Sequence, residues 1–219
     1  MPHYSEAKLG RPAKLSYEEI ADIALATGIN KVTIKGLAEA LNIDRTTLYR
    51  YVKNKDDVLL LAVSRALNEL DLRYQGDDWQ ECLRFVATQL WNLFAQYPGL
   101  ANVCRSMNQA PEASINAFAI ACRQLDSFGF STESSALIIN SIIDMTTDCA
   151  SSWQELAKAK GAGMSSLEHR YHTWEQMSDI ENSPHVSYVM NAMAGDLTLW
   201  WDQKLDLLIA GASVYREKS

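Results

Sequence analysis

Apolar residues recur at three- and four-residue spacings over almost the whole chain, and no stretch alternates long enough to make a strand. The pattern predicts an all-α protein. Ser16 opens a first helix, predicted over 16–27, and Glu19 three residues on completes a capping box. Ile20, Ile23 and Ala24 form its stripe, and Gly28 stops it. Thr33 caps a short second helix bearing Ile34, Leu37, Ala38 and Leu41. After Asn42 and Ile43, Asp44 caps a third helix running through Tyr51. A fourth starts near Lys55 and carries Val58, Leu59, Ala62, Val63, Ala66, Leu67 and Leu70. Beyond a break at Gly76, helices are predicted at about 77–97, 99–107, 111–128, 132–160, 166–177, 184–194 and 195–216.

Two of these helices carry more apolar surface than one buried face requires. In 132–160 one stripe is Ile138, Ile142, Met145, Cys149, Trp153 and Leu156, and a second is Ile139, Ile143, Thr146, Ala150 and Ala157. The last helix shows Leu197, Trp200, Trp201, Leu205, Leu208, Ile209, Ala212 and Tyr215. A helix wet on one side needs a single stripe, so both are expected to pack on two fronts. A four-helix interface between two copies would supply the second front, with Ile139, Ile143, Leu197, Trp201, Leu205 and Leu208 as its candidates. A core within one chain is the alternative.

With 219 residues, 47% hydrophobic and 21% charged, the chain is globular rather than fibrous or disordered. The longest aliphatic run, 58–63, is far short of a bilayer span. Basic residues near the start have no apolar stretch behind them, so no secretory signal is read. Cys82, Cys104, Cys122 and Cys149 lie far apart without a CxxC, which fits reduced thiols in the cytoplasm. Nothing singles one of them out as a low-pKa redox sensor. The net charge of −7 is uneven. Residues 1–55 hold nine Lys/Arg against six Asp/Glu, and the remainder eleven against twenty-one. A basic head on an acidic body confines attraction for phosphate to the head.

Two short helices joined by three residues make a helix-turn-helix, whose second helix enters the major groove. Asn42 tolerates the positive φ such a turn demands, and Ile43 can fill the angle between the helices. Leu48 and Val52 hold the third helix on the core, leaving Arg45, Thr47, Tyr49, Arg50 and Tyr51 largely outside. Arginine can fork onto guanine, and threonine methyls can meet thymine methyls.

The segment 33–61, TIKGLAEALNIDRTTLYRYVKNKDDVLLL, resembles the DNA-binding head of the tetracycline-repressor (TetR) family. Thr33, Leu37-Ala38, Leu48-Tyr49, and Lys55 with Leu59 behind it carry the resemblance, which covers 16–61. Val52-Lys53-Asn54-Lys55 is similar to the branch that gives the family its name; the commoner variant has Phe at the Val52 position. A second, shorter likeness to the family's dimer helix lies in 205–211. The resemblance implies that Thr33, Lys35, Tyr49 and Lys55 hold phosphates, while Arg45, Thr46 and Thr47 face base edges. Arg50 departs from the aromatic of similar members, which leaves its contact open between base and phosphate. Tyr49 and Tyr51 have core packing as their alternative. Lys8, Arg11 and Lys14 read either as a minor-groove arm or as a solvated tail.

The expected architecture is therefore a flexible basic arm (1–15), an amino-terminal three-helix head with the helix-turn-helix (16–60), and a helical-bundle regulatory body (61–219), the long fourth helix joining head to body. The expected function is a dimeric, ligand-responsive regulator, in the repressor mode, that binds palindromic operator DNA and is released by a small apolar or aromatic effector. Trp91, Phe94, Met107, Phe118, Cys122, Met145 and Trp153 are the candidate pocket residues, with plain core as their alternative. Asp144 and Asp148 read as a solvated face or as partners of a cationic ligand. Glu168, His169 and His172 have metal-like types but no firm third ligand, so neither a metal nor a cofactor is expected. An effector-independent architectural DNA protein is the alternative function. A helical-bundle enzyme would need a catalytic constellation that the chain does not show.

Overall fold

A computed structural model of the protein describes residues 15–159 and 183–216. Regular structure among them is entirely helical: α1 (Tyr17–Thr27), α2 (Ile34–Ala40), α3 (Arg45–Leu48), α4 (Lys55–Leu67), α5 (Trp79–Gln96), α6 (Leu100–Ser106), α7 (Glu112–Ser127), α8 (Thr132–Ala159), α9 (Pro184–Ala194) and α10 (Leu197–Arg216). The helix expected at 166–177, with Glu168, His169 and His172, lies outside the described residues, as do Lys8, Arg11 and Lys14.

Local chemistry sets the boundaries in the head. Ser16 and Glu19 close the capping box in both directions: the Glu19 backbone N–H donates to Ser16 Oγ at 3.1 Å, and the Ser16 N–H to Glu19 Oε2 at 2.8 Å. Thr33 caps α2 through the Gly36 N–H, and Asn54 caps α4 through the Asp57 N–H. Two expected ends are corrected. The α3 ladder stops at Leu48 rather than Tyr51, because the Arg50 and Tyr51 N–H groups turn back to the third carbonyl before them. The last turn thus tightens toward 3₁₀ geometry. The fourth helix ends at Leu67, and Leu70 sits in the non-helical segment that follows, its N–H turned back to the Leu67 carbonyl.

One continuous cluster of buried apolar side chains runs from Ile20 in α1 to Ala212 in α10. Helix α4 joins the two ends of the molecule, packing on α1 at one side and on α6 and α7 at the other. Helix α8 is central to the body and touches α5, α6, α7 and α10. That explains its two stripes: Ile138, Ile139, Ile142, Thr146 and Ala150 are all buried inside one chain.

Two glutamines tie corners of the chain to helices. Gln154 of α8 accepts from the Gly99 N–H (2.6 Å) and donates to the Phe94 carbonyl (2.8 Å). Gln124 of α7 accepts from the Tyr74 N–H (2.5 Å) and donates to the Leu72 carbonyl. Gly99, at φ 97, starts α6 and faces the head loop between α1 and α2, where a Cβ would fall on the Asn30 amide. Gly99→Ala is therefore expected to cost about 1–3 kcal/mol from backbone strain alone, plus the displacement of Asn30. Asn30→Gly in the same chain should recover the steric part but not the strain, which a double-mutant cycle on unfolding midpoints will separate.

Candidate functional site

The helix-turn-helix is built from backbone inward. Asn42 adopts φ 52, the sole positive φ among described non-glycine residues. Ile43 is half-buried against the core, and its N–H donates to the Ala38 carbonyl at 3.0 Å, locking the turn onto α2. Asp44 caps α3 twice over: Oδ1 accepts the Thr47 N–H (2.8 Å) and Oδ2 the Thr47 hydroxyl (2.9 Å). These bonds hold the Asp44 carboxyl below its ordinary range. The stabilisation this gives α3 is present above the ordinary carboxylate value and is lost as pH falls through the lowered one.

With Leu48 and Val52 buried, α3 presents Arg45, Thr46, Tyr49 and Arg50 to solvent. Tyr49 is 51% exposed, whereas Tyr51 is half-buried and packs edge-on to Tyr17, centroids 5.5 Å apart. Thr47 is half-buried, its hydroxyl engaged by the cap. Thr33 Oγ1 accepts from the α2 amide, which leaves its proton free to donate. Lys35 is exposed and loosely paired with Glu39 at 3.8 Å, a contact worth little in water. Lys55 stands exposed at the first turn of α4, where Asp57 accepts the Lys53 N–H at 2.7 Å and orders the preceding turn. The head thus displays Thr33, Lys35, Arg45, Thr46, Tyr49, Arg50 and Lys55 on its surface.

The pocket candidates do not converge. Trp91 lies between Trp201, at 4.6 Å and 17°, and Trp153, at 6.0 Å and 27°. Trp91 and Phe94 are buried core, and Trp153 completes the stack. Met107 lines a cleft between α4 and α6, and Met145 a surface groove between α6 and α8. Cys122 packs against the core. Only Phe118 among them reaches an apolar cavity, of about 80 Å³, bounded by α4, the following segment, α5, α7 and α8. Its other walls include Leu67, Leu70, Leu72, Val86, Leu90 and Ile143. These walls are mainly aliphatic.

The dimer candidates are also redistributed. Ile139, Trp201 and Leu205 are buried within the chain, Trp201 donating from Nε1 to Thr146 Oγ1 at 3.1 Å. Ile143, Leu197 and Leu208 are half-buried, Ile143 as a wall of the apolar cavity. Arg84 of α5 pairs with Asp202, at 2.8 Å, and with Asp206. The side of α10 away from the buried Trp201, Leu205, Ile209 and Ala212 faces outward with Leu199 (56% exposed), Leu207 (75%) and Val214 (52%). Asp148 pairs with Arg105 at 2.5 Å, and Asp144 accepts from Asn140.

Burial pushes the Cys82 and Cys122 thiols up to about 11 and Cys104 to about 12. Lys204 Nζ stands 3.6 Å from Cys149 Sγ, a neighbour 55 positions away in sequence, yet burial still raises that thiol. Protonated thiols are poor nucleophiles, which argues against redox sensing. Among the described residues no helix is long and apolar enough to cross a membrane, and no group of His, Cys, Asp or Glu forms a metal site.

The architecture is a helix-turn-helix head mounted through α4 on a helical body. Similarity to known proteins specifies it further. The chain is 34% identical over 98 residues to the class D tetracycline repressor protein of Escherichia coli, a match covering 42% of this chain and 45% of that relative. It thus spans about half the length of the curated relatives it matches. A possible TetR-family transcriptional regulator from Streptomyces coelicolor A3(2) superposes with a TM-score of 0.74 at 20% identity, covering 90% of this chain and 97% of that one. ActR from Streptomyces coelicolor, in complex with actinorhodin, gives 0.71 at 19% identity, covering 93% and 99%. No family model matches the chain. The fold is that of TetR-family regulators.

Proposed function

We propose that the protein is a dimeric, ligand-responsive repressor of the cytoplasm that binds palindromic operator DNA and is released by a small apolar or aromatic effector. The observation that carries the DNA reading is the Asn42–Asp44 turn, which holds α3 with Arg45, Thr46, Tyr49 and Arg50 outward. Arg45 and Thr46 are assigned to base edges, with Thr47 beside them through its methyl. Thr33, Lys35, Tyr49 and Lys55 are assigned to phosphates; Arg50 takes either, and Tyr51 supports Tyr17. Arm (1–15), head (16–60) and body (61–219) are the working divisions, with the boundary inside α4.

Pairing of two copies is assigned to the outward side of α10. Leu199, Leu207, Ala210 and Val214 fall on one face of that helix, and three of them are large, apolar and more than half exposed. An effector would enter the Phe118 cavity. About 80 Å³ is small beside the several hundred Å³ of ordinary ligand sites, so occupation must spread its walls. Leu67, the last residue of α4, is one of them. Pushing that end tilts a helix about 20 Å long, whose packing on α1 carries the head. That ActR, a neighbour in fold, has been solved in complex with actinorhodin supports a small-molecule effector.

The test is a binding series on duplexes selected from random DNA. Affinity should fall steeply with salt. Arg45→Ala should relax preference at one position per half-site and cost about 1–3 kcal/mol per lost base contact. Lys55→Ala should weaken all sequences about equally. Identical behaviour of the two variants on selected and scrambled DNA would overturn this division of roles.

A further inference from the structure

The apolar packing of α4 is not the only hold the head has on the body. Arg65, in the last turn of α4, reaches two ways: its Nε donates to Asp22 Oδ1 of α1 at 2.9 Å, and its Nη1 to Glu69 Oε1 at 3.0 Å. Glu69, just beyond the end of α4, also accepts the Tyr97 hydroxyl at 2.9 Å and the Gln96 amide at 3.3 Å. Tyr97 caps α5 and opens the corner into α6, which starts after Gly99. Gly99 faces Asn30 in the loop between α1 and α2, and its N–H is held by Gln154 of α8. Two separate parts of the head therefore meet the body at one corner, 97–99, and that corner is pinned to the central helix. The Arg65 and Glu69 side chains are 37% and 30% exposed, and the one carboxylate gathers a guanidinium, a phenol and an amide. Charge-assisted bonds joined in a sheltered network outweigh an isolated surface pair, which contributes little. Burial, and then the Glu69 carboxylate, raise the Tyr97 hydroxyl above its ordinary value, so it remains a donor at neutral pH.

We propose that Arg65, Glu69 and Tyr97 are positioning residues for operator recognition: they latch the head in one orientation on the α5–α6 corner. None of them is among the groups assigned to DNA. The latch rests on the DNA reading only for its effect on the operator; the hold on the head is a property of the free chain. Phenol, carboxylate and guanidinium follow one another from α5 to α1, so losing Tyr97 frees Glu69, slackens Arg65 and loosens Asp22 in turn. Leu67, a wall of the Phe118 cavity, falls between Arg65 and Glu69 in the chain. Displacing Leu67 shifts both latch residues against Tyr97, whose corner stays fixed by the grip of Gln154 on Gly99 and Phe94.

The test compares the full-length wild type with Tyr97→Phe, which keeps the ring and loses only the hydroxyl, and with Glu69→Gln. Residual dipolar couplings of backbone amides report the orientation of α1 against α8 in the absence of DNA. One alignment frame should fit both helices in the wild type. In either variant α1 should need a frame of its own with smaller couplings, while α8 is unchanged. The Arg65 Nε proton, which bonds to Asp22 and not to Tyr97, should exchange faster with water in Tyr97→Phe. A Tyr97 that only packs would leave both signals alone, since phenylalanine retains the ring. Affinity for a selected duplex should fall by about three- to tenfold in either variant. A single frame in Tyr97→Phe would overturn the latch. Separate frames with unchanged duplex affinity would overturn its part in positioning. If the wild type binds no duplex at all, the DNA reading fails, while separate frames in the variants still uphold the latch.

Discussion

Leu205→Glu should prevent stable folding, whereas Leu207→Glu should leave a folded chain that no longer pairs. The two leucines are separated by one residue on α10 but differ completely in surroundings. Leu205 is 0% exposed, inside the packing of α10 on α5 and α8, and Leu207 is 75% exposed. Placing an unpaired carboxylate at Leu205 costs several kcal/mol, a large share of the about 5–15 kcal/mol by which domains are stable. At Leu207 the same charge meets water in the isolated chain and an apolar partner face only in the dimer. Far-ultraviolet circular dichroism should therefore show lost helix for Leu205→Glu and full helix for Leu207→Glu. In sedimentation equilibrium, Leu207→Glu should be a monomer. A stable dimer of that variant would place the interface elsewhere than on the outward side of α10.

The second large effect is expected at Trp201. Its ring stacks on Trp91 and its Nε1 donates to the fully buried Thr146 hydroxyl. Trp201→Ala removes a large buried side chain and leaves a void beside Trp91, a loss of about 3–5 kcal/mol. Trp201→Phe retains most of the stacking surface but strands the Thr146 oxygen, costing about 1–3 kcal/mol. Urea unfolding of the two variants should order them wild type, Phe, Ala. Should Trp201→Ala unfold with the wild-type midpoint and an unchanged slope, the stack does not hold the body together.

These two expectations mark where sequence reading succeeds and stops. In the head, decisive interactions span only a few residues: Ser16 with Glu19, Thr33 with Gly36, Asp44 with Thr47, Asn54 with Asp57. Each follows from residue type and spacing, so the caps and the Asn42 turn are legible without tertiary knowledge. The end of α3 was not, because tightening toward 3₁₀ geometry after Leu48 leaves no sequence mark. In the body the same periodicity gives α10 an apolar side twice over. Which side turns inward is decided by the fit of Trp201, Leu205, Ile209 and Ala212 against α5 and α8, helices far away in sequence. Likewise, a tryptophan in a helix reads the same whether it meets a ligand or another tryptophan. The walls of the Phe118 cavity come from five separate segments, and Leu70 and Leu72 lie where periodicity has already ended. A cavity is the space that close packing leaves over, and no residue encodes that alone.

The glutamine ties at Gly99 and Tyr74 bear on how the body opens. Each amide side chain takes the N–H of a connecting segment and a carbonyl at or beside it, and each anchor sits on a helix of the bundle. Such a corner cannot fray alone, because releasing its N–H also frees a carbonyl and exposes the glutamine. Hydrogen exchange at the Gly99 and Tyr74 amides should accordingly be as slow as in α8 and α7, despite their position in connecting segments. Those two signals would report the concerted opening of the regulatory bundle, at sites where loop amides ordinarily exchange within moments.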